Sequence, residues 1–299
     1  MAATPQGTTV DVTRVREFAQ DVHVEAQQML SRIRDKADIK MVDAKDFAYD
    51  GLGTVEAVDA NARYAELDFA DLEHKRRQIV PNRYQCTLPI DGKDKIESVF
   101  DVENQYAKHI AAAMVRQFDR VGMTALTADI NTGENFQTPL TAAADGVVTI
   151  DATPGLTYDT LLEIDENFIN QDLGIGSENF MKWFAISGKE HTSLMKEIEL
   201  ISGDFSRDYN VEKGRIQRAA GFELVKYAAG ATNPVLTEAA ARSCVAWTEG
   251  ALCYAMQQDF EVEVRKLPNF VNVHAVIITA TFGAVRTEGA RVVQVNTAL

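Results

Sequence analysis

The sequence predicts an α+β fold in which one long amphipathic helix stands between separate groups of strands. Three observations carry this. Apolar residues recur at steps of four and three from Asp101 to Leu126; two period-two stretches, Arg63–Phe69 and Arg83–Leu88, precede that run; and β-rich runs close the chain. Helices and strands in separate runs, rather than in alternation, point to α+β layering.

The N-terminal segment carries its own helical stripe. Val12, Val15, Phe18, Ala19, Val22, Ala26, Met29 or Leu30, and Ile33 share one face, while Arg14, Glu17, Gln20, Asp21 and Gln28 take the other. The pattern fits an ordinary packed helix and equally an arm lying on a neighbouring subunit.

Residues 51–90 alternate. Ala65, Leu67 and Phe69 face opposite to Glu66 and Asp68, and Tyr84, Cys86 and Leu88 share one side of a second stretch. Between them Asp71, Glu73, His74, Lys75, Arg76 and Arg77 form a charged tip, so the segment predicts a long two-stranded hairpin. An isolated hairpin is marginal in water, so it must lie on its own domain or on another copy.

The long helix has Asp101 as its cap and Glu103 near the positive end of its dipole. Val102, Tyr106, Ile110, Met114, Phe118, Val121 and Ala125 form the stripe, and Gly122 weakens its last turns. At ~1.5 Å per residue such a helix is about 37 Å long, a spine rather than a typical globular helix.

Beyond it, Asn131-Thr132-Gly133, Asp145-Gly146 and Pro154-Gly155 mark turns around a strand from Val147 to Ile150. Thr157 or Thr160 starts a helix through Leu161, Ile164 and Phe168, stopped by Gly174 and Gly176. Strands are expected at Phe180–Ile186 and Phe222–Tyr227, with a helix after Gly188. Thr248 can cap a further helix through Leu252, Tyr254 and Met256. Phe260–Arg265, Val271–Phe282 and Arg291–Val295 follow as strands, the last two joined by a turn at Glu288-Gly289, and all three should cover the long helix as one antiparallel layer.

Composition narrows the function. Apolar residues make up 46% and charged ones 25%, enough for a sizeable core. The formal charge of -14 opposes a role whose affinity rests on neutralising nucleic-acid phosphates. Cys86, Cys244 and Cys253 are widely spaced, which favours buried reduced thiols over a disulfide framework. Charges interrupt every apolar run in the first thirty residues, and no stretch is long enough for a membrane span, so a cytoplasm-like setting is expected.

Catalytic patterns are weak. Gly51-Leu52-Gly53 and Gly174-Ile175-Gly176 lack the third glycine of a dinucleotide loop. Ser193-Leu194-Met195-Lys196, with His191 nearby, has the spacing of a lysine-activated serine but none of its usual companion motifs. Asp129–Glu134 opens like a calcium loop but has glycine in place of a ligand, and the five histidines share no metal-ligand spacing. No catalytic, cofactor-binding or metal residue is assigned.

Two stretches carry a resemblance. One is Pro89-Ile90-Asp91-Gly92-Lys93-Asp94 with Asp101–Tyr106 and Arg116–Asp119; the other is Ala246-Trp247-Thr248-Glu249-Gly250-Ala251-Leu252, running on to Phe282–Arg286 and Val292–Val295. With the order of arm, hairpin, spine, mixed centre and terminal strands, they resemble the major capsid proteins of tailed bacteriophages, which have the Hong Kong 97-type or Johnson fold. The resemblance implies an N-terminal arm over 1–50, an extended hairpin loop over 51–90 and a peripheral domain with the spine over 91–126. An axial domain over 127–255 and peripheral strands over 256–299 would complete it. It implies a structural protein that is not an enzyme and holds no cofactor. Copies would form hexamers and pentamers of an icosahedral shell around double-stranded DNA, without sequence-specific binding. Scaffolding, portal and decoration proteins would be further partners, no membrane is implied, and the protein would reside in the virion after assembly in the host cytoplasm. Asp71, Glu73, Lys75, Arg76 and Arg77, with Glu66 and Asp68, become candidate inter-subunit contacts, and Tyr106, Ile110, Met114 and Phe118 the core of the spine. No residue pair matches the lysine–asparagine cross-link of some members. An encapsulin-like compartment shell and, more distantly, an α/β hydrolase remain as alternatives.

Overall fold

Helix α1, Val102–Thr127, has 26 residues. The structure is a computed structural model that describes residues 28–57, 69, 71–91, 102–153, 155–173, 180–196, 211–212, 215–229, 235–236, 241–269 and 273–298. The apolar steps of four and three place Ile110, Met114 and Phe118 on the inner face of α1, where all three are buried, with Tyr106 half-buried beside them. Asp101, expected as the cap, lies outside the described residues.

Beneath α1 lies a four-stranded sheet made of β1 (Asp38–Met41), β4 (Asn82–Asp91), β14 (Leu252–Lys266) and β15 (Val273–Arg286), in the order β1-β14-β15-β4. β15 runs antiparallel to both β14 and β4, and β1 is parallel to β14. Aromatic rings join helix to sheet: Phe118 stacks on Tyr254 at 4.2 Å and meets Phe282 at 5.1 Å. Such ring pairs add about 0.5–1.5 kcal/mol each beyond the area they bury.

A six-stranded mixed sheet forms the second body, in the order β11-β12-β8-β13-β16-β7. It comprises β7 (Val148–Ala152), β8 (Lys182–Ser187), β11 (Arg218–Ala219), β12 (Phe222–Tyr227), β13 (Arg242–Thr248) and β16 (Val292–Thr297). Helix α2, Tyr158–Asn170, buries Leu161, Ile164 and Phe168 in the same core. The Thr157 hydroxyl accepts from the N–H of Thr160 and starts it. Helix α3, Gly188–Leu194, begins with a capping box between Ser187 and Glu190. A third, smaller sheet orders β2 (Phe47–Leu52), β3 (His74–Ile79), β5 (Ile130–Thr132) and β6 (Thr138–Leu140). β9 (Val211–Glu212) and β10 (Arg215–Ile216) pair as a short ribbon.

Several expectations need correction. Arg83–Leu88 is a strand but not an arm of the hairpin, because Cys86 pairs with Ile278 and Leu88 with Val276 of β15. The hairpin closes earlier, between β2 and β3, so Lys75, Arg76 and Arg77 lie in its second strand rather than at its tip. No helix follows Thr248: Leu252–Met256 is the buried start of β14, and Gly250 turns the chain at φ 75°. Burial on both faces had removed any periodicity that could separate strand from helix. β15 and β16 do not form a hairpin either, since they belong to different sheets and Gly289–Arg291 is a 3₁₀ turn between them. Residues 256–299 therefore do not make one layer against the helix. Residues 28–33, the end of the N-terminal stripe, are not helical although Ile33 is buried, and Val12 to Ala26 lie outside the described residues. So do Gly174 and Gly176; α2 stops at Asn170, with Asp172 at φ 59°.

Gly122 has a reason beyond tolerance. A Cβ there would lie 2.0 Å from the Tyr254 hydroxyl, which donates to the Phe118 carbonyl at 3.0 Å inside the core. Alanine is ordinarily better than glycine in a helix by about 1 kcal/mol. Here Gly122→Ala should instead lower stability by about 1–3 kcal/mol, as overpacking does. Thermal melts of unassembled subunits would check this, and Gly122→Ala/Tyr254→Phe should recover part of the loss.

One end of the six-stranded sheet is tied by Glu190. Its carboxylate is buried, accepts from Arg242 Nη1 and Thr297 Oγ1 at 2.9 Å each, and also bonds Ser187. Burial pushes its pKa up, but the bonds from Ser187, its own N–H, Thr297 and Arg242 together outweigh that and hold it below the usual glutamate value. A lowered folded pKa gives stability that is present above the unfolded value of about 4.3 and is lost as pH falls through the folded value. Subunits carrying Glu190→Gln should accordingly be less stable at neutral pH, with the gap to wild type narrowing toward acid in melts taken across that range.

Candidate assembly surface

The predicted contact residues divide into two groups once placed. Asp71, Glu73, Lys75 and Arg76 are exposed along or beside β3. Arg76 is held bidentately by Asp50 of β2, at 2.6 and 3.1 Å, and this pair keeps the Asp50 carboxyl below its ordinary range. Lys75 lies 3.5 Å from Glu73. Glu66 and Asp68 lie outside the described residues.

Arg77 is different. It is buried, and its guanidinium makes two bonds of 2.6 and 2.7 Å to Asp145. Alternation puts Arg76 on the opposite face from Arg77, whereas Lys75 shares Arg77's face but lies two residues nearer the open end of the strand pair and stays exposed. Asp145 accepts a third bond, 2.6 Å from Arg286 Nε at the end of β15. Arg286 in turn donates to the Ala128 carbonyl at 2.5 Å, where α1 has just ended. The hairpin's root is thus fastened to the spine, to the long sheet and to the loop before β7 through one carboxylate.

Nothing singled out Asp145, Arg286 or Asp50 as functional in the sequence. A usable signal existed for one pair: an arginine closing an apolar strand, Phe282–Arg286, needs a carboxylate, and Asp145-Gly146 marks a turn that could supply it.

Apolar groups around the hairpin are left uncovered. Leu52 at the end of β2 is 66% exposed, Val55 50% and Phe69 89%. Gly53 N–H bonds to the Glu73 carbonyl at 2.8 Å, so the strand pair stays closed up to this point.

The serine reading finds no support in geometry. His191 turns its Nε2 to Lys226 Nζ at 3.0 Å and to the N–H of Ile216 at 3.4 Å, not to Ser193. Burial and the Lys226 charge both lower its pKa.

The Asp145 cluster makes a sharp prediction. Removing the carboxylate leaves two guanidiniums facing each other out of water, which costs about 3–5 kcal/mol for a broken buried pair. Asp145→Ala subunits should melt far below wild type. Arg76→Ala, which breaks an exposed pair, should leave the melt close to that of wild type.

The comparisons with known proteins agree with this architecture. A family model described as phage capsid protein matches residues 10–298. No curated protein matches the chain. The capsid structure of the cyanophage P-SCSP1u matches at a TM-score of 0.74 and 15% identity, covering 99% of this chain and 97% of that one. The head structure of the Helicobacter pylori bacteriophage KHP40 gives 0.73 at 8% identity over 99% of both chains, and the capsid of a native GTA particle 0.67 at 14% over 100% of both. At such identities the likeness establishes the fold, which is the Hong Kong 97-type α+β fold expected from the order of elements. The match over nearly the whole length establishes more: the chain belongs to the phage capsid protein family and is a structural protein, not an enzyme.

Proposed function

We propose that the chain is a major capsid protein whose copies form hexamers and pentamers of an icosahedral shell around double-stranded DNA. The observation that carries this reading is the hairpin: its root is locked into the subunit by Asp145, while Leu52, Val55 and Phe69 lie in water. A stiff root with uncovered apolar groups gains burial on a neighbouring copy, and repetition of one such contact closes a symmetric shell. Asp71, Glu73, Lys75 and Arg76 then meet charges of the adjacent subunit, with Glu66 and Asp68 in the same contact. Arg77 serves as the internal anchor instead.

In this reading α1 with the four-stranded sheet forms the peripheral domain, and the six-stranded sheet forms the axial domain. β16 goes to the axial side, where it pairs with β13 and β7. The shell assembles in the host cytoplasm, with scaffolding, portal and decoration proteins as partners, and the formal charge of -14 on each chain suits enclosure of DNA without tight binding.

Purified protein, with or without scaffold, should give capsomers or closed particles in light scattering and negative stain. Particles from infected cells should carry nucleic acid in their absorbance spectrum; a protein cargo would point instead to a compartment shell. Replacing residues 54–72 by Asn-Gly should leave the subunit folded, because Gly53 and Glu73 already meet, and should abolish particles or leave them fragile. A stable monomer at micromolar concentration under every assembly condition, or normal particles from the shortened chain, would overturn the corresponding half of the proposal.

A further inference from the structure

Among the described residues, the far half of β14 is an open strand edge. Among the described residues β1 covers β14 from Cys253 to Met256, where β1 ends, and two register shifts in the β14–β15 pairing follow. Arg34 holds Asp259 at 2.9 Å where the open stretch begins. From Glu261 to Lys266 β14 has β15 on one side and, among the described residues, no strand on the other. Val262 and Val264 there are 50% and 51% exposed. Soluble proteins protect such edges, because unpaired N–H and C=O groups in a row recruit another strand.

The direction of the free groups can be worked out. Leu267 N–H bonds to the Val273 carbonyl, so the backbone of Leu267 faces β15. By alternation Arg265, Glu263 and Glu261 also turn their backbone groups to β15, and Val262, Val264 and Lys266 turn theirs outward. The side chains alternate independently. Val262 lies across from Ile278 and Val264 across from Val276, on the face beneath α1, while Glu263 lies across from Ile277 on the other face. Arg265 and Glu263 already bond each other, at 2.9 and 3.0 Å, on that outer face.

We propose that this edge pairs antiparallel with the same edge of a second copy, about a two-fold axis centred on Val264. The sequence is self-complementary in that register. Val264 faces Val264, Val262 faces the aliphatic stem of Lys266, and Glu263 faces Arg265 twice, so the outer face gathers alternating charges with no like pair opposed. The outward backbone groups of Val262, Val264 and Lys266 match those of the partner, and two four-stranded sheets become continuous. Shifting the centre to Glu263 would set Glu263 against Glu263. A centre between residues would oppose side chains of opposite faces.

The inference rests on the assembly reading, because a shell supplies the two-fold axes on which copies meet. It has its own test. In a hydrogen-bonded antiparallel pair the Cα atoms are about 5.5 Å apart, within disulfide reach. Particles of Val264→Cys should therefore give a dimer band on a non-reducing gel after mild oxidation. Val262→Cys, equally exposed and on the same face, should give little, since its opposite number is Lys266. Glu263→Arg should lower particle yield tenfold or more by opposing arginines, and Glu263→Arg/Arg265→Glu should restore it. Particles that form normally yet show no Val264→Cys dimer, or equal dimers from both cysteines, would overturn the edge pairing and leave the shell reading intact. Absence of any particle from the wild-type chain would remove both.

Discussion

An element proposed to lie on a neighbouring copy needs a rigid root, and the rigidity of this hairpin's root depends on one buried carboxylate between two guanidiniums. Asp145 holds Arg77 of the hairpin and Arg286 of the long sheet together. Two cations against one anion leave a surplus positive charge out of water, which is tolerable only if other acceptors meet it. The carbonyls of Leu126 and Ala128 at the end of α1 do so, at 3.4 and 2.5 Å, where the helix dipole is negative. The direction of the spine is therefore part of the electrostatics of the hairpin. Even the crossing from β15 to β16 is constrained, since a Cβ on Gly289 would lie 2.2 Å from the Asp145 carbonyl.

A second carboxylate fastens residues 28–32 by different means. Asp119 of α1 is buried and accepts from Gln28 Nε2 and Ser31 Oγ at 2.5 Å, from Arg32 N–H at 3.1 Å and from the Tyr227 hydroxyl at 3.3 Å. These donors are neutral, and burial pushes the Asp119 pKa up despite them. Glu190, which has Arg242 as a partner, moves down. The two signs oppose each other: Glu190 adds stability at higher pH, whereas Asp119 favours the fold more below its folded pKa than above it. Neutral donors hold the N-terminal segment without committing a cation to it. The chain that follows from residue 28 is thus tied to the spine, to β12 and to the core through Ile33 at one site.

What the sequence made legible follows from how local each signal is. The stripe from Tyr106 to Phe118, the Thr157 cap and the strand Phe222–Tyr227 depend on neighbours three or four residues away, so periodicity and capping suffice to find them. Pairing is not local. The alternation of Tyr84, Cys86 and Leu88 identifies a strand, but nothing in it says that the partner is β15, nearly two hundred residues later, rather than Ala65 to Phe69. β13 and the start of β14 are buried on both faces, which erases the alternation that would have excluded a helix. The charged run His74–Arg77 looks like a solvated tip because composition alone cannot show that Arg77 points inward to a carboxylate 68 positions away. Candidate contacts on exposed β3 positions were readable as charge; their internal anchor was not.

The division between buried and exposed ion pairs also sets how such a subunit can be assembled and still fold alone. The Asp145 cluster and the Glu190 network are internal and belong to the folding of one chain. Arg76 with Asp50 and Lys75 with Glu73 are exposed and screened by water, so they contribute too little to decide the fold. In the proposed assembly, weak contacts of this kind, with exposed Leu52, Val55 and Phe69, give each copy something to gain from a neighbour without entering the fold of one subunit. Because binding to other copies stabilises only the folded form, assembly then raises the stability of every subunit it includes. Many weak contacts per shell allow misplaced copies to leave before closure, whereas a few strong ones would trap them. A locked root with a weakly sticking surface is therefore the arrangement that serves both folding and the correct closure of a shell.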